Sequence, residues 1–206
     1  MDNPLTPRPI QCRICARQDA SPCSYVDADN ETCGTSWCPD HAQMAEGKPY
    51  CRRHAGVIRA LVESVNDGHV PDINNRAPSL ANWVAKDIDE GIRELLEEAK
   101  KPEGNEDVIQ DPLTHVRTAY GTHLWERWWK VVDESGIVVV KVGIDVDESN
   151  DSEVRVRVGN RAVISAVPPW IGRRLSGHSI GSDQYARQEY YDMLLAAIGE
   201  ALGVEV

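Results

Sequence analysis

The chain has 206 residues, 41% hydrophobic and 27% charged, a balance that suits a soluble globular protein of one large or two modest domains and excludes collagen-like or wholly disordered matter. Its net charge of −11, from 33 acidic and 22 basic side chains, argues against broad binding to nucleic acid or acidic membrane, which needs a positive field. The longest apolar run, Gly136 to Ile144 interrupted by Lys141, falls far short of the ~20 residues a bilayer requires, so no membrane association is expected. The start MDNPLTPRPIQC has neither the basic nor the apolar part of a signal peptide. Together with thiols arranged for metal, this points to a cytoplasmic protein.

Residues 1–11 are expected to form a flexible tail. All six cysteines follow within the first quarter of the chain, in the order Cys12-x2-Cys15-x7-Cys23-x9-Cys33-x4-Cys38-x2-His41-x9-Cys51-x2-His54. Three pairs have the two-residue gap that lets both side chains reach one tetrahedral ion, and two of them include histidine, for which a disulfide framework has no use. Zinc accepts thiolate sulfur and imidazole nitrogen alike, so eight donors imply two zinc ions. Few large apolar residues surround them, and metal would supply the folding energy of so small a module. The pattern resembles the B-box type of zinc finger, a relative of RING domains. The resemblance implies two interleaved sites, Cys12, Cys15, Cys38 and His41 for one ion and Cys23, Cys33, Cys51 and His54 for the other. Two departures fall on the second site: the gap before Cys51 is longer than the family usually has, and the seventh donor is Cys instead of His. Four donors per ion leave no position for water, which disfavours catalytic zinc; loss of Cys33 from its set would open one.

After a zinc-binding domain at 12–56, a helical connector is expected over 57–104. Val57, Ile58, Leu61, Val62 and Val65 recur at helical spacing, with Gly68 as a cap. His69 to Pro78 is loop-like. Ser79 is expected to cap a second helix running to Lys100 on the stripe Leu80, Trp83, Val84, Ile88, Ile92, Leu95, Leu96 and Ala99. Its other face is acidic: Asp87, Asp89, Glu90, Glu94, Glu97 and Glu98 form a solvated surface or, as the weaker alternative, a partner surface.

The segment PEGNEDVIQ reads as a boundary before an α+β domain at 105–206. Asp111-Pro112 is expected to start a short helix through His115, Val116 and Tyr120 to Gly121. Strands are then expected over Leu124–Asp133, Gly136–Val146, Glu153–Val158 and Arg161–Val167, forming an antiparallel four-stranded meander. Val154, Val156 and Val158 should face its core and Arg155 and Arg157 its exterior. A final helix should begin at Ser182 or Asp183. In a chain without Phe, Trp125, Trp128 and Trp129 read as core before they read as a ligand platform. His115 and His123 have no partner at a metal-ligand spacing and read as isolated surface or core histidines.

The sequence carries no phosphate loop, no serine-hydrolase elbow and no HExxH, so enzymatic activity is not indicated. The expected fold class is α+β, and the expected function is that of an adaptor: a zinc-binding, protein-protein interaction protein whose partner is another protein. The alternatives are a ubiquitin-ligase-like activity, nucleic-acid binding by Arg13, Arg17, Arg52, Arg53 and Arg59, which the net charge opposes, and anion binding by Arg173, Arg174 and His178 before the last helix.

Overall fold

A computed structural model describes residues 10–64, 68–100, 105–175 and 184–204, with the side chains of 173–175 left aside. The expected flexible tail falls almost wholly outside these residues, as do Val65 and the expected cap at Ser182 or Asp183.

The cysteine-rich segment has little regular structure. Strands β1 (Ser21–Pro22) and β2 (Ser36–Trp37) pair antiparallel, as do β3 (Gln43–Ala45) and β4 (Lys48–Tyr50). The β3–β4 hairpin turns on Glu46 and Gly47 with φ of 46° and 71°, the two positive values a type I′ turn demands and that glycine meets without strain. Helix α1 (Arg52–Glu63) follows directly. It ends at Ser64, whose N–H donates to Ala60 O, and not at Gly68, because the chain turns to an extended conformation before the glycine is reached.

The expected second helix is two helices. Helix α2 (Ala77–Asp87) and helix α3 (Asp89–Glu98) are separated at Ile88, which has φ −109° and ψ 5°. The N-cap is Arg76 and not Ser79, which lies buried inside the first turn. Asn75 accepts a hydrogen bond from Ala77 N at 2.9 Å and so starts the helix early. The break lets two acids expected on the solvated face turn inward. Asp89 accepts hydrogen bonds from Trp129 Nε1 at 2.8 Å and Gln110 Nε2 at 2.6 Å, and Asp87 accepts one from Tyr191 Oη at 2.5 Å.

The remaining chain forms an antiparallel sheet. Strands β5 (Asp107–Gln110) and β6 (Thr114–Arg117) both pair with the long strand β7 (His123–Val132), which pairs in turn with β8 (Val138–Asp147), then β9 (Val154–Val158), then β10 (Arg161–Ala166). The sheet therefore has six strands and not the expected four. The helix expected from Asp111-Pro112 is absent because the two halves of β7 each take a partner on that edge. β5 covers Trp129–Val132 and β6 covers His123–Glu126, with the proline interrupting the edge between them. Gly121, φ 82°, serves the β6–β7 turn, where Thr118 accepts from Gly121 N and donates to Thr122 O; a positive φ suits a turn as well as a helix end.

Alternation along β7 to β9 sets two faces. One carries Trp125, Trp129, Val142, Ile144, Val146, Val154 and Val156, all fully buried. Helices α2, α3 and α5 (Gln184–Leu202) close the same core with Val84, Ile92, Leu96, Leu194 and Ile198. Arg155 and Arg157 lie on the opposite face, held by Asp145 at 2.5 and 3.3 Å. Trp128 shares that face, opposite Gly143. Of the tryptophan cluster, then, Trp125 and Trp129 are core.

Candidate metal centres

Each pair of donors sits on a tight turn. Ala16, φ 57°, bends the chain after Cys15, and its N–H donates to Cys12 O at 2.9 Å. His41 and Ala42 N–H groups both donate to Cys38 O. Cys51 is the N-cap of α1, its sulfur accepting from His54 N at 3.3 Å, so the helix start fixes both donors of that pair.

These three turns, with Cys23 just after β1 and Cys33 just before β2, gather two groups whose donor atoms lie within 4.8 Å of one another: Cys12, Cys15, Cys38 and His41, and Cys23, Cys33, Cys51 and His54. The groups alternate along the chain. All six thiols are free of disulfides. On one tetrahedral zinc two thiolates stand about 3.8 Å apart, and a thiolate and an imidazole nitrogen about 3.5 Å, from bond lengths of about 2.3 and 2.0 Å. Cys15 and Cys38 sulfurs are 3.6 Å apart, and His41 Nδ1 lies 3.6 Å from Cys12 and 3.2 Å from Cys38. His54 Nδ1 is 3.5 Å from Cys23 Sγ. The donor sets therefore fit a zinc ion each, and both clusters could hold one.

The surroundings are ordered outward from the donors. In the second group His54 turns Nδ1 to sulfur while its Nε2 faces Ile73 O at 3.5 Å, and its ring stacks on Tyr25 at 4.1 Å. Such an outer contact fixes the tautomer and orientation of a metal-binding histidine. Trp37 Nε1 donates to Thr35 Oγ1 at 2.8 Å, leaving the Thr35 hydroxyl hydrogen for Cys33 Sγ at 3.0 Å. Cys23 receives Cys51 N at 3.3 Å. The side chain of Cys51 and then, against burial, that of His54 hold the Cys23 thiol down to about 4, while the same contact from Cys23, with burial, pushes Cys51 up. In the first group burial opposes ionisation of Cys12, but backbone hydrogen bonds around Cys38, Cys15 and Ile14 outweigh it and bring the thiol to about 5. Burial also raises Cys38. Each group thus holds a ready thiolate beside a thiol that releases its proton when an ion arrives.

The arginines of the module are already engaged in part. Arg17 pairs with Asp19 and Asp40, Arg53 donates to Ile73 O and Asn75 O at 2.6 and 3.0 Å, and Arg59 donates to Met44 O at 3.1 Å. Arg173 and Arg174 fall in helix α4 (Pro169–Leu175), but their side chains, like all of His178, lie outside the described residues.

A third gathering of donors consists of His69, His115 and His123. The sequence signal for it is the β6–β7 hairpin: once Thr114–Arg117 and His123–Val132 are paired strands, His115 and His123 become neighbours on one face. The Asp-Pro start of a helix conceals that signal.

Comparison of the chain with protein families, curated proteins and solved structures gives no match.

Proposed function

We propose that this chain is an interaction protein built on a structural binuclear zinc module of the cross-braced, B-box-like kind, which presents itself to another protein. The observation that carries the reading is the interleaving of two four-donor groups, each with a separation set suited to tetrahedral zinc. Four protein donors complete a structural site, whereas catalytic zinc keeps a position for water. Support for a protein partner comes from the module's surface. Ile14 and Met44 of the module and Val62 of the helix that follows it are 64%, 58% and 60% exposed, and exposed apolar groups are what protein partners bury.

Two measurements test this. Native mass spectrometry of protein expressed without added zinc should find one ion fewer in Cys15→Ser and in Cys33→Ser than in the parent, with the other Cys/His group still loaded. Loss of both ions from either variant, or of neither, contradicts two independent four-donor centres. Crosslinking in cells should then recover a partner with the parent chain and not with Met44→Glu. Equal recovery removes the module from the interface.

A further inference from the structure

His69 follows α1 in a loop, His115 lies on β6 and His123 on β7. His115 pairs with Trp125 and His123 with Arg117, so the two histidines are diagonal neighbours on one face of the antiparallel pair. His123 Nδ1 and His115 Nε2 face each other at 2.8 Å. The His69 ring lies parallel to both, its centroid 4.3 Å from that of His115 and 4.4 Å from that of His123. One donor nitrogen of each ring lies within 4.8 Å of the other two. His115 is buried, and the other two are half-buried.

A carboxylate completes the surroundings. Glu148, in the 3-10 turn Glu148–Asn150, places its two oxygens 2.9 and 3.0 Å from His69 Nε2 and accepts a hydrogen bond from buried Trp125 Nε1 at 2.7 Å. The loop bearing His69 is fastened to that same turn: Asn75 Nδ2 donates to Glu148 O at 3.0 Å, and Arg76 binds Asp151 at 2.8 Å. The three imidazoles are thus brought together by contacts that do not depend on them.

We propose that His69, His115 and His123 form a third metal site, distinct from the two cysteine centres, that takes a divalent transition ion of the zinc class. Imidazole nitrogen selects zinc, copper or nickel over magnesium and calcium, which take oxygen. On a tetrahedral ion two such nitrogens stand about 3.3 Å apart, so the 2.8 Å pair opens by about half an ångström, within reach of a small rotation of half-buried His123. Glu148 sets a negative charge beside the ion and orients His69, as carboxylates near metal-binding histidines do. Three protein nitrogens leave a coordination position for water or a small ligand. The ion fastens the segment that bears His69 to the strands β6 and β7.

The test uses the full chain with Zn²⁺ as the probe and native mass spectrometry as the count. With zinc in excess the parent should take three ions, and His123→Ala and His69→Asn should each take two while keeping the parent's far-ultraviolet circular dichroism. Co²⁺ at the third equivalent should bring ligand-field absorption without additional thiolate charge transfer. Should His123→Ala fail to keep the parent spectrum, His69→Asn, in a loop, carries the test. A parent that saturates at two ions, a third ion that persists in both histidine variants, or a third site that Mg²⁺ fills as readily as Zn²⁺ overturns the proposal. None of these outcomes bears on the cysteine centres, which Cys15→Ser and Cys33→Ser report separately.

Discussion

The hydroxyl of Thr35 connects a tryptophan to the sulfur of Cys33 and offers a way to perturb one centre without touching a donor. It accepts from Trp37 Nε1 at 2.8 Å and faces Cys33 Sγ at 3.0 Å. Thr35→Val keeps the side-chain shape and removes both hydrogen bonds. Trp37 is half-buried, so water can take up its N–H, and the loss concentrates on Cys33. Outer groups of this kind are worth 10- to 100-fold in metal affinity, about 1.4 to 2.8 kcal/mol. Competition against a chromophoric zinc chelator should show one equivalent weakened by that factor and the other unchanged, whereas Thr35→Ser, which restores the hydroxyl, should behave as the parent. If Thr35→Val leaves both equivalents unchanged, this hydroxyl does not hold Cys33 as a zinc donor, and if it weakens both alike the division into two independent centres is wrong.

Three further outcomes follow from the packing. Stripping zinc with a strong chelator should abolish amide protection in 10–54 while β7 to β9 keep theirs, since the module's own cluster of Tyr25, Tyr50, Val57 and their small neighbours is too slight to order it; hydrogen exchange with mass detection would show retained protection if the module folds without metal. Gly56→Ala places a Cβ 2.6 Å from both Ser79 Oγ and Trp83 Nε1, and should cost about 1–3 kcal/mol in urea unfolding; a gain of stability, as helix propensity alone would give, refutes the close α1–α2 approach. Asp89→Ala removes the acceptor of Trp129 Nε1, buried in the core. It should lower stability by about 1.5–3 kcal/mol with a shift in tryptophan emission, and an unshifted spectrum with parental stability would show that the contact is not made.

Local spacing carries much of this protein. A two-residue gap between donors is a property of the chain itself, so the pairs at Cys12, Cys38 and Cys51 are legible as metal sites before any fold is known. Period-two alternation likewise marks Val154, Val156 and Val158 as one face of a strand whatever that strand pairs with, and in a chain without Phe the demand for core volume assigns Trp125 and Trp129, though it equally claims Trp128, which alternation along β7 sends to the opposite face. The edge strands β5 and β6 are not legible in this way. Each has four residues, one lies behind a proline that equally suits a helix start, and both are strands because β7 offers them unpaired backbone. The break at Ile88 has the same origin, since Asp87 and Asp89 turn inward to Tyr191 and Trp129, partners distant in sequence. The histidine trio is tertiary throughout: a loop contributes His69, the β6–β7 hairpin contributes both His115 and His123, and the turn after β8 adds the carboxylate of Glu148, with no pair of the histidines at a ligand spacing. Short-range geometry is written in the order of residues, while the meeting of distant side chains waits on which strand edges and helix faces are left to be covered.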